Sequence, residues 1–277
     1  MSLIIPEIYS GLVREKFLGR VKVMNLATNV GILKNTIVGS TVTFPKWKTL
    51  TDANVVTKGV QSPIDSLDQD SSQATIKMID KIVRVFDIDD ITMLGNAIQE
   101  AAAQQAIIFA RKLDNDLIAE AQTTALKTAT AGANAITANE LNTALQNFGD
   151  DSDTDDIAGI IVNSLLDSSF YSMSEFVDGN KTYNSANGNG IVRNGMIGSF
   201  RGIPVFHSDK GTYDSTNNEC TSLIIKKNAL GFMEKTGIDI VEEREEKLHC
   251  SDIVGAYTYA VKLLDDAGVV LLKKTIA

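Results

Sequence analysis

Apolar residues near the start of the chain fall at helical spacing. Ile8, Leu12, Val13, Phe17, Val21 and Met24, with Glu7, Arg14, Glu15, Lys16, Arg20 and Lys22 between them, predict an amphipathic helix over Ile8–Leu26. The next stretch offers nothing to cover its apolar face, which must dock on the body of the protein or on a neighbouring subunit. The pattern then changes to alternation. Ser40–Leu50 and Ala74–Ile88 read as strands, with Pro45 suited to an exposed edge. Between them Thr51–Gln73 is rich in Ser, Asp, Thr and Gln, with Val55, Val56, Val60, Ile64 and Leu67 scattered through it. A connection that long inside a compact domain is functional or disordered, so the hairpin is expected to project from the body.

The strongest helical signal is Ala97–Leu126, Ala-rich and free of Pro and Gly, with Ile98, Ala101, Ala102, Ile108, Phe109, Leu113, Leu117 and Ile118 along one stripe. At 1.5 Å per residue it predicts a spine of roughly 45 Å. Ala129–Asn134 reads as a small-residue linker, and Thr137 with Glu140 has capping-box spacing before a short helix through Phe148. A second domain begins there, with an apolar strand at Ile157–Val162, a helix at about Asn163–Met173, a Gly- and Asn-rich mobile loop at Gly179–Gly198, and strands at Gly202–His207 and Ser222–Lys226. Strands at Ile238–Glu243, Ile253–Leu264 and Val269–Lys273 complete an α+β chain without internal repeats.

The 277 residues are 44% hydrophobic and 22% charged, enough for a substantial core in one large or two modest domains. A formal charge of −9 and pI near 4.8 argue against a protein that grips nucleic acid, because phosphate binding needs clustered Lys and Arg. Cys220 and Cys250 form no metal-type pair; a disulfide stays open, although two thiols in a chain this long suit a reducing compartment better. The first residues do not suit a signal peptide, and no window approaches the roughly 18 apolar residues that span a bilayer. A soluble protein without a membrane partner is expected.

Candidate chemistry is sparse. Asp151, Asp153 and Asp155 have the spacing of a Ca²⁺ loop, but Asp156 stands at its Gly position and Val162 at its Glu position, which favours a solvated acidic loop. His207 and His249 lack any hydrolase context, and Gly188, Gly190, Gly195 and Gly198 miss dinucleotide-binding spacing. No cofactor, metal site or catalytic residue is expected.

The order of elements resembles the major capsid proteins of tailed phages, whose fold is named for phage Hong Kong ninety-seven, across essentially the whole chain. The resemblance is carried by the arm at Ile8–Leu26, the hairpin at Ser40–Ile88, the helix Ala97–Leu126, GSFRGIPVFHSD (Gly198–Asp209), ALGFMEKTGIDIVEERE (Ala229–Glu245) and IVGAYTYAVKLLDDAGVVLLKK (Ile253–Lys274). It implies an N-terminal arm (1–39), an extended hairpin or E-loop (40–88), a peripheral domain (89–130 and 236–277) with spine helix and returning strands, and an axial domain (131–235).

By that resemblance the chain is a structural protein and not an enzyme. It assembles with itself as hexamers and pentamers into an icosahedral head around double-stranded DNA that it encloses without binding tightly, is made in the host cytoplasm and ends in the virion. The arm begins within a few residues of Met1, so scaffolding is expected from a separate protein, alongside a portal. The namesake's Lys–Asn cross-link finds Lys46, Lys48 and Lys58 on this hairpin, without an identifiable Asn. Trp47 is either a contact within the hairpin or an anchor in a neighbour, and the resemblance favours the anchor. Glu242, Glu243 and Glu245 of EEREEK are either a solvated face or pair across a boundary with Arg14, Lys16, Arg20 or Lys22 of the arm. Phe17 joins these interface candidates from the arm's apolar face. An encapsulin-type compartment shares the expected fold, and an enzyme with an unfamiliar site is the rival from another class.

Overall fold

The computed structural model describes all residues except 1–10, 12, 15, 18–20, 34–39, 48–49, 51, 93–96, 150–152, 182–195 and 277. Its strands are β1 (Thr28–Ile32), β2 (Thr41–Trp47), β3 (Gln69–Thr75), β4 (Lys77–Phe86), β5 (Lys127–Ala129), β6 (Ile157–Val162), β7 (Met196–Phe200), β8 (Ile203–His207), β9 (Tyr213–Asp214), β10 (Glu219–Cys220), β11 (Ser222–Lys226), β12 (Leu230–Glu245), β13 (Cys250–Leu263) and β14 (Val269–Lys273). Helices occupy Asp87–Thr92, Ala97–Ala121, Ala138–Gln146, Asp167–Ser172 and Ser174–Lys181.

The uninterrupted apolar runs of β6, β11 and β14 lie inside a six-stranded mixed sheet of order β5-β14-β11-β6-β8-β7. Such runs suit strands covered on both faces. One face, with Ile161, Leu223, Ile225, Val269 and Leu271, packs under the end of the long helix; the other, with Ile160, Val162, Ile224, Val270 and Leu272, is covered by the shorter helices through Leu141, Phe170 and Phe176. Thr137 caps Ala138–Gln146 in a complete capping box with Glu140. The pairing of β14 with β11 draws it into this sheet, away from the long strands β12 and β13 that share its expected domain.

The second sheet has the order β1-β12-β13-β4. β12 and β13 pair antiparallel along most of their length, but Glu234 faces Tyr259 and Ile238 faces Tyr257, so Lys235, Thr236 and Gly237 bulge opposite Thr258. Gly237, at φ 78°, supplies the left-handed conformation there. On the face carrying Gly255, Tyr257 and Tyr259 lies the long helix Ala97–Ala121, about 38 Å long at 1.5 Å per residue. A methyl group on Gly255 would come 3.1 Å from the ring of Phe109, so the bare α-carbon lets the helix approach.

The helix stops five residues before the expected Leu126, because its last side chains turn to other backbone partners. Thr123 Oγ1 donates to the Glu120 carbonyl (2.7 Å), Thr124 Oγ1 donates to the Val269 carbonyl (2.6 Å) and the Leu126 N–H donates to Thr124 Oγ1 (3.2 Å). Such bonds compete with the helical ladder and deliver the chain into β5.

The arm docks on its own subunit: Val13, Phe17, Val21 and Val23 belong to the main core. Its helix does not continue through Leu26. The Asp114 carboxylate accepts the N–H groups of Lys22 (2.9 Å), Val23 (3.1 Å) and Met24 (3.2 Å), and the chain passes through a 3-10 turn at Met24–Leu26 into β1.

The hairpin also differs from expectation. Its second strand is β3, in the polar stretch assigned to the connection, with Thr41 opposite Thr75 and Trp47 opposite Gln69. At buried Ile76, whose N–H donates to the Ser40 carbonyl (2.9 Å), the chain turns into the body, and β4 pairs with β13 instead. Most of the Gly179–Gly198 loop, at 182–195, lies outside the described residues; helix precedes it to Lys181 and β7 follows from Met196.

Phe109→Ala removes the ring that seats the helix on Gly255. It is expected to cost about 3–5 kcal/mol in denaturant unfolding of the unassembled subunit.

Candidate assembly surfaces

The two-stranded ribbon β2-β3 grows from a small core of its own. Phe44, Ala74 and Ile76 pack with Leu33 and with Ala260 of β13, and Val30, Val42, Met233 and Leu264 close the cluster. Two ion pairs flank this root. Lys46 Nζ is 2.8 Å from Asp266 Oδ1 on the turn between β13 and β14, and Lys77 Nζ is 3.3 Å from Asp116 Oδ2 on the long helix.

Beyond the ribbon, residues 52–68 are exposed throughout. Val55 is 94% and Ile64 84% exposed, and Leu50, Val56, Val60 and Leu67 are exposed as well. A turn closed by the Val60 N–H on the Thr57 carbonyl (3.1 Å) carries Lys58 at its apex, with Gly59 at φ 83° in the position that needs a left-handed residue. So many apolar side chains in one extended segment gain nothing from burial within the subunit, and a contiguous patch of this kind marks an interaction site.

A second apolar surface lies on the sheet face away from the long helix. In register across the strands, Ile82 of β4 stands beside Val254 of β13 and Val241 of β12. Met78, Ile82 and Val241 are each more than half exposed. At the far end of these strands Glu242, Glu243, Glu245 and Glu246 are exposed. Within that acidic tip Arg244 makes a two-pronged pair with Asp87 (2.6 Å for each bond) and Arg84 does the same with Asp252 (2.7 and 2.6 Å). These charge-assisted bonds hold the Asp87 and Asp252 carboxyls below their ordinary range.

Asp116 is the polar centre of the helix–sheet contact. Its carboxylate accepts the Tyr259 hydroxyl (2.7 Å) and Lys112 Nζ (3.0 Å) and lies against Lys77. Burial pushes its carboxyl up, but the Tyr259 hydroxyl and the two ammonium groups outweigh burial and hold it below 3.8. Lower on the same helix, buried Gln105 donates to the carbonyls of Lys81 (3.1 Å) and Ile253 (3.2 Å).

The residues expected at interfaces therefore divide. Phe17 is a correction: it is 3% exposed and stacks edge-on against Tyr257 of its own chain at 5.5 Å, so within the subunit it is already buried. Lys46 is engaged with Asp266, whereas Lys58 stands free in space at the loop apex and Glu242, Glu243 and Glu245 at the strand tip. Arg14 is exposed beside Gly237, and within the Glu-rich tip Arg244 lies 3.7 Å from Glu246. Trp47 ends β2 opposite Gln69; Lys48 and Arg20 lie outside the described residues. Asp153, Asp155 and Asp156 of the acidic loop are exposed, and Asp150 and Asp151 lie outside the described residues. His207 closes β8, with its carbonyl accepting Lys22 Nζ (3.0 Å), and His249 sits on the other sheet's turn. Cys220 and Cys250 are buried and unpaired.

Sequence reasoning missed Asp114, Asp116, Lys77 and Asp266. A signal existed for the first two, since they interrupt the apolar stripe between Leu113 and Leu117, where a charge must find a partner.

Residues 71–271 match the family model described as phage capsid protein. The chain belongs to the phage capsid protein family. Among curated relatives, the major capsid protein of Staphylococcus phage phiMR11 is 23% identical over 271 residues, covering 98% of this chain and 93% of that one. Among solved structures, the head of Helicobacter pylori bacteriophage KHP40 aligns with TM-score 0.67 at 11% identity, over 94% of this capsid protein and 90% of that chain. The capsid of cyanophage P-SCSP1u aligns with TM-score 0.63 at 15% identity, over 91% and 87%. At such identities the structures speak to fold alone, and the fold is the α+β capsid fold that the sequence resemblance implied. This capsid protein is a structural component of the virion.

Because the Asp116 carboxyl is depressed in the folded state, its contribution is present above the unfolded value of 3.8 and is lost as pH falls through the lower folded value. Asp116→Asn is expected to cost on the order of 1–3 kcal/mol at neutral pH, discounted because Lys77 and Lys112 are half exposed. In thermal unfolding of the subunit the gap to wild type should hold at neutral pH and close as pH drops below about 4.

Proposed function

We propose that this capsid protein is the major capsid protein of a tailed bacteriophage, building the icosahedral head that encloses double-stranded DNA. The carrying observation is a subunit whose body buries its core while residues 52–68 hold out five large apolar side chains, Val55, Val56, Val60, Ile64 and Leu67, together with Leu50 at the end of a rooted ribbon. A neighbouring copy supplies the surface they lack, and repetition around hexamers and pentamers turns many weak contacts into a strong lattice. Lys58, Trp47 and the glutamates of the strand tip act in those boundaries. A net charge of −9 suits a container that confines DNA without gripping it. Scaffolding from a separate protein, a portal, assembly in the host cytoplasm and the absence of enzymatic activity complete the reading. The encapsulin alternative is not favoured, since both the family model and the phiMR11 relative are phage capsid proteins.

The ribbon pairing sharpens the test. Replacing residues 52–66 with a short Gly-Ser linker spares β3, so the variant should unfold at the wild-type temperature yet give no closed particles by electron microscopy. Normal particles from it would overturn the proposal.

A further inference from the structure

We propose that Lys46 and Asp266 are positioning residues that set the direction in which the hairpin leaves the subunit, and through it the curvature of the shell. The inference rests on the shell reading above.

Lys46 stands next to the end of β2, opposite Asp70, beyond the apolar root at Phe44. The root fixes where the ribbon attaches, and among the described residues its buried apolar side chains reach along β2 only as far as Phe44. The Lys46–Asp266 pair supplies a second point of support, at 2.8 Å, with the lysine side chain 19% exposed.

Asp266 is itself held. Its turn is closed by the Ala267 N–H on Asp265 Oδ1 (3.0 Å) and by the Gly268 N–H on the Asp265 carbonyl (3.1 Å). Gly268 lies so close to Ala229 that a Cβ would come within 2.5 Å of that residue's methyl group, and Thr124, just past the long helix, donates to the Val269 carbonyl. On the other strand's side, Lys77 follows the root directly and pairs with Asp116 of the same helix. Both supports therefore lead to the C-terminal part of the long helix, and the hairpin's tilt follows that helix.

The lever lies beyond the root. From Phe44 to Trp47 the ribbon runs about 10 Å, so a tilt of about 10° at the root moves the ribbon's end by about 2 Å, and the loop beyond it by more. A displacement of that size changes where the apolar loop meets a neighbour, and every copy repeats it.

The test uses the full chain with Lys46→Asp, Asp266→Lys and the double exchange. Each single variant should give particles of altered or broadened diameter in electron micrographs, and the double exchange should restore the wild-type size. In unassembled subunits, amide exchange across Thr41–Lys46 should quicken about two- to fivefold in the single variants and recover in the exchange, which places the pair within one subunit. Wild-type particle size in the single variants, a defect that the exchange leaves in place, or unchanged amide exchange would each overturn the assignment while leaving the shell reading intact. A wild-type chain that forms no particles would instead contradict the shell reading.

Discussion

Phe109 lies against the bare α-carbon of Gly255, and that contact brings the long helix onto the longest strands of the protein. Almost everything else is arranged around it. The helix carries Gln105 below the contact and Asp116 above it, so polar bonds to the sheet fix its register where apolar packing alone would allow sliding. Asp114, on the same stretch, takes the N–H groups that end the arm's helix and turn it toward β1. The end of the helix covers one face of the six-stranded sheet, so one element joins both sheets into a continuous core.

A body so well supplied with internal partners makes the exposed surfaces informative. The arm, whose apolar stripe invited a neighbour, is satisfied at home by Tyr257 and the main core. The hairpin is not. Its root is anchored and its loop presents valines, an isoleucine and a leucine to solvent, an arrangement that is costly for a monomer and useful for a lattice. The acidic strand tip is arranged differently: Arg244 and Arg84 are taken up by Asp87 and Asp252, and Glu242, Glu243 and Glu245 are exposed.

What could be read from sequence follows from whether a signal was local. β6, β11 and β14 were legible because strands covered on both faces are plain apolar runs, and Thr137 with Glu140 announced its helix because a capping box is three residues long. β3 was not, since QDSSQAT has no strand character and becomes a strand only by pairing with β2. The break at Ile76 and the transfer of β14 to the other sheet depend equally on partners far along the chain. Among site residues, the exposure of Lys58 and the glutamates follows from their polarity. Phe17 and Lys46 looked free only because Tyr257 and Asp266 are more than two hundred residues away.

Among the described residues the hairpin loop is the most exposed apolar stretch, and in the shell another copy covers it. Amide exchange of residues 52–68, compared between unassembled subunits and closed particles, tests this most directly. Exchange should slow by about tenfold or more in the particle, while Gln105–Ile118 of the long helix stays protected in both states. Residues 52–68 exchanging as fast in the particle as in the free subunit would contradict it.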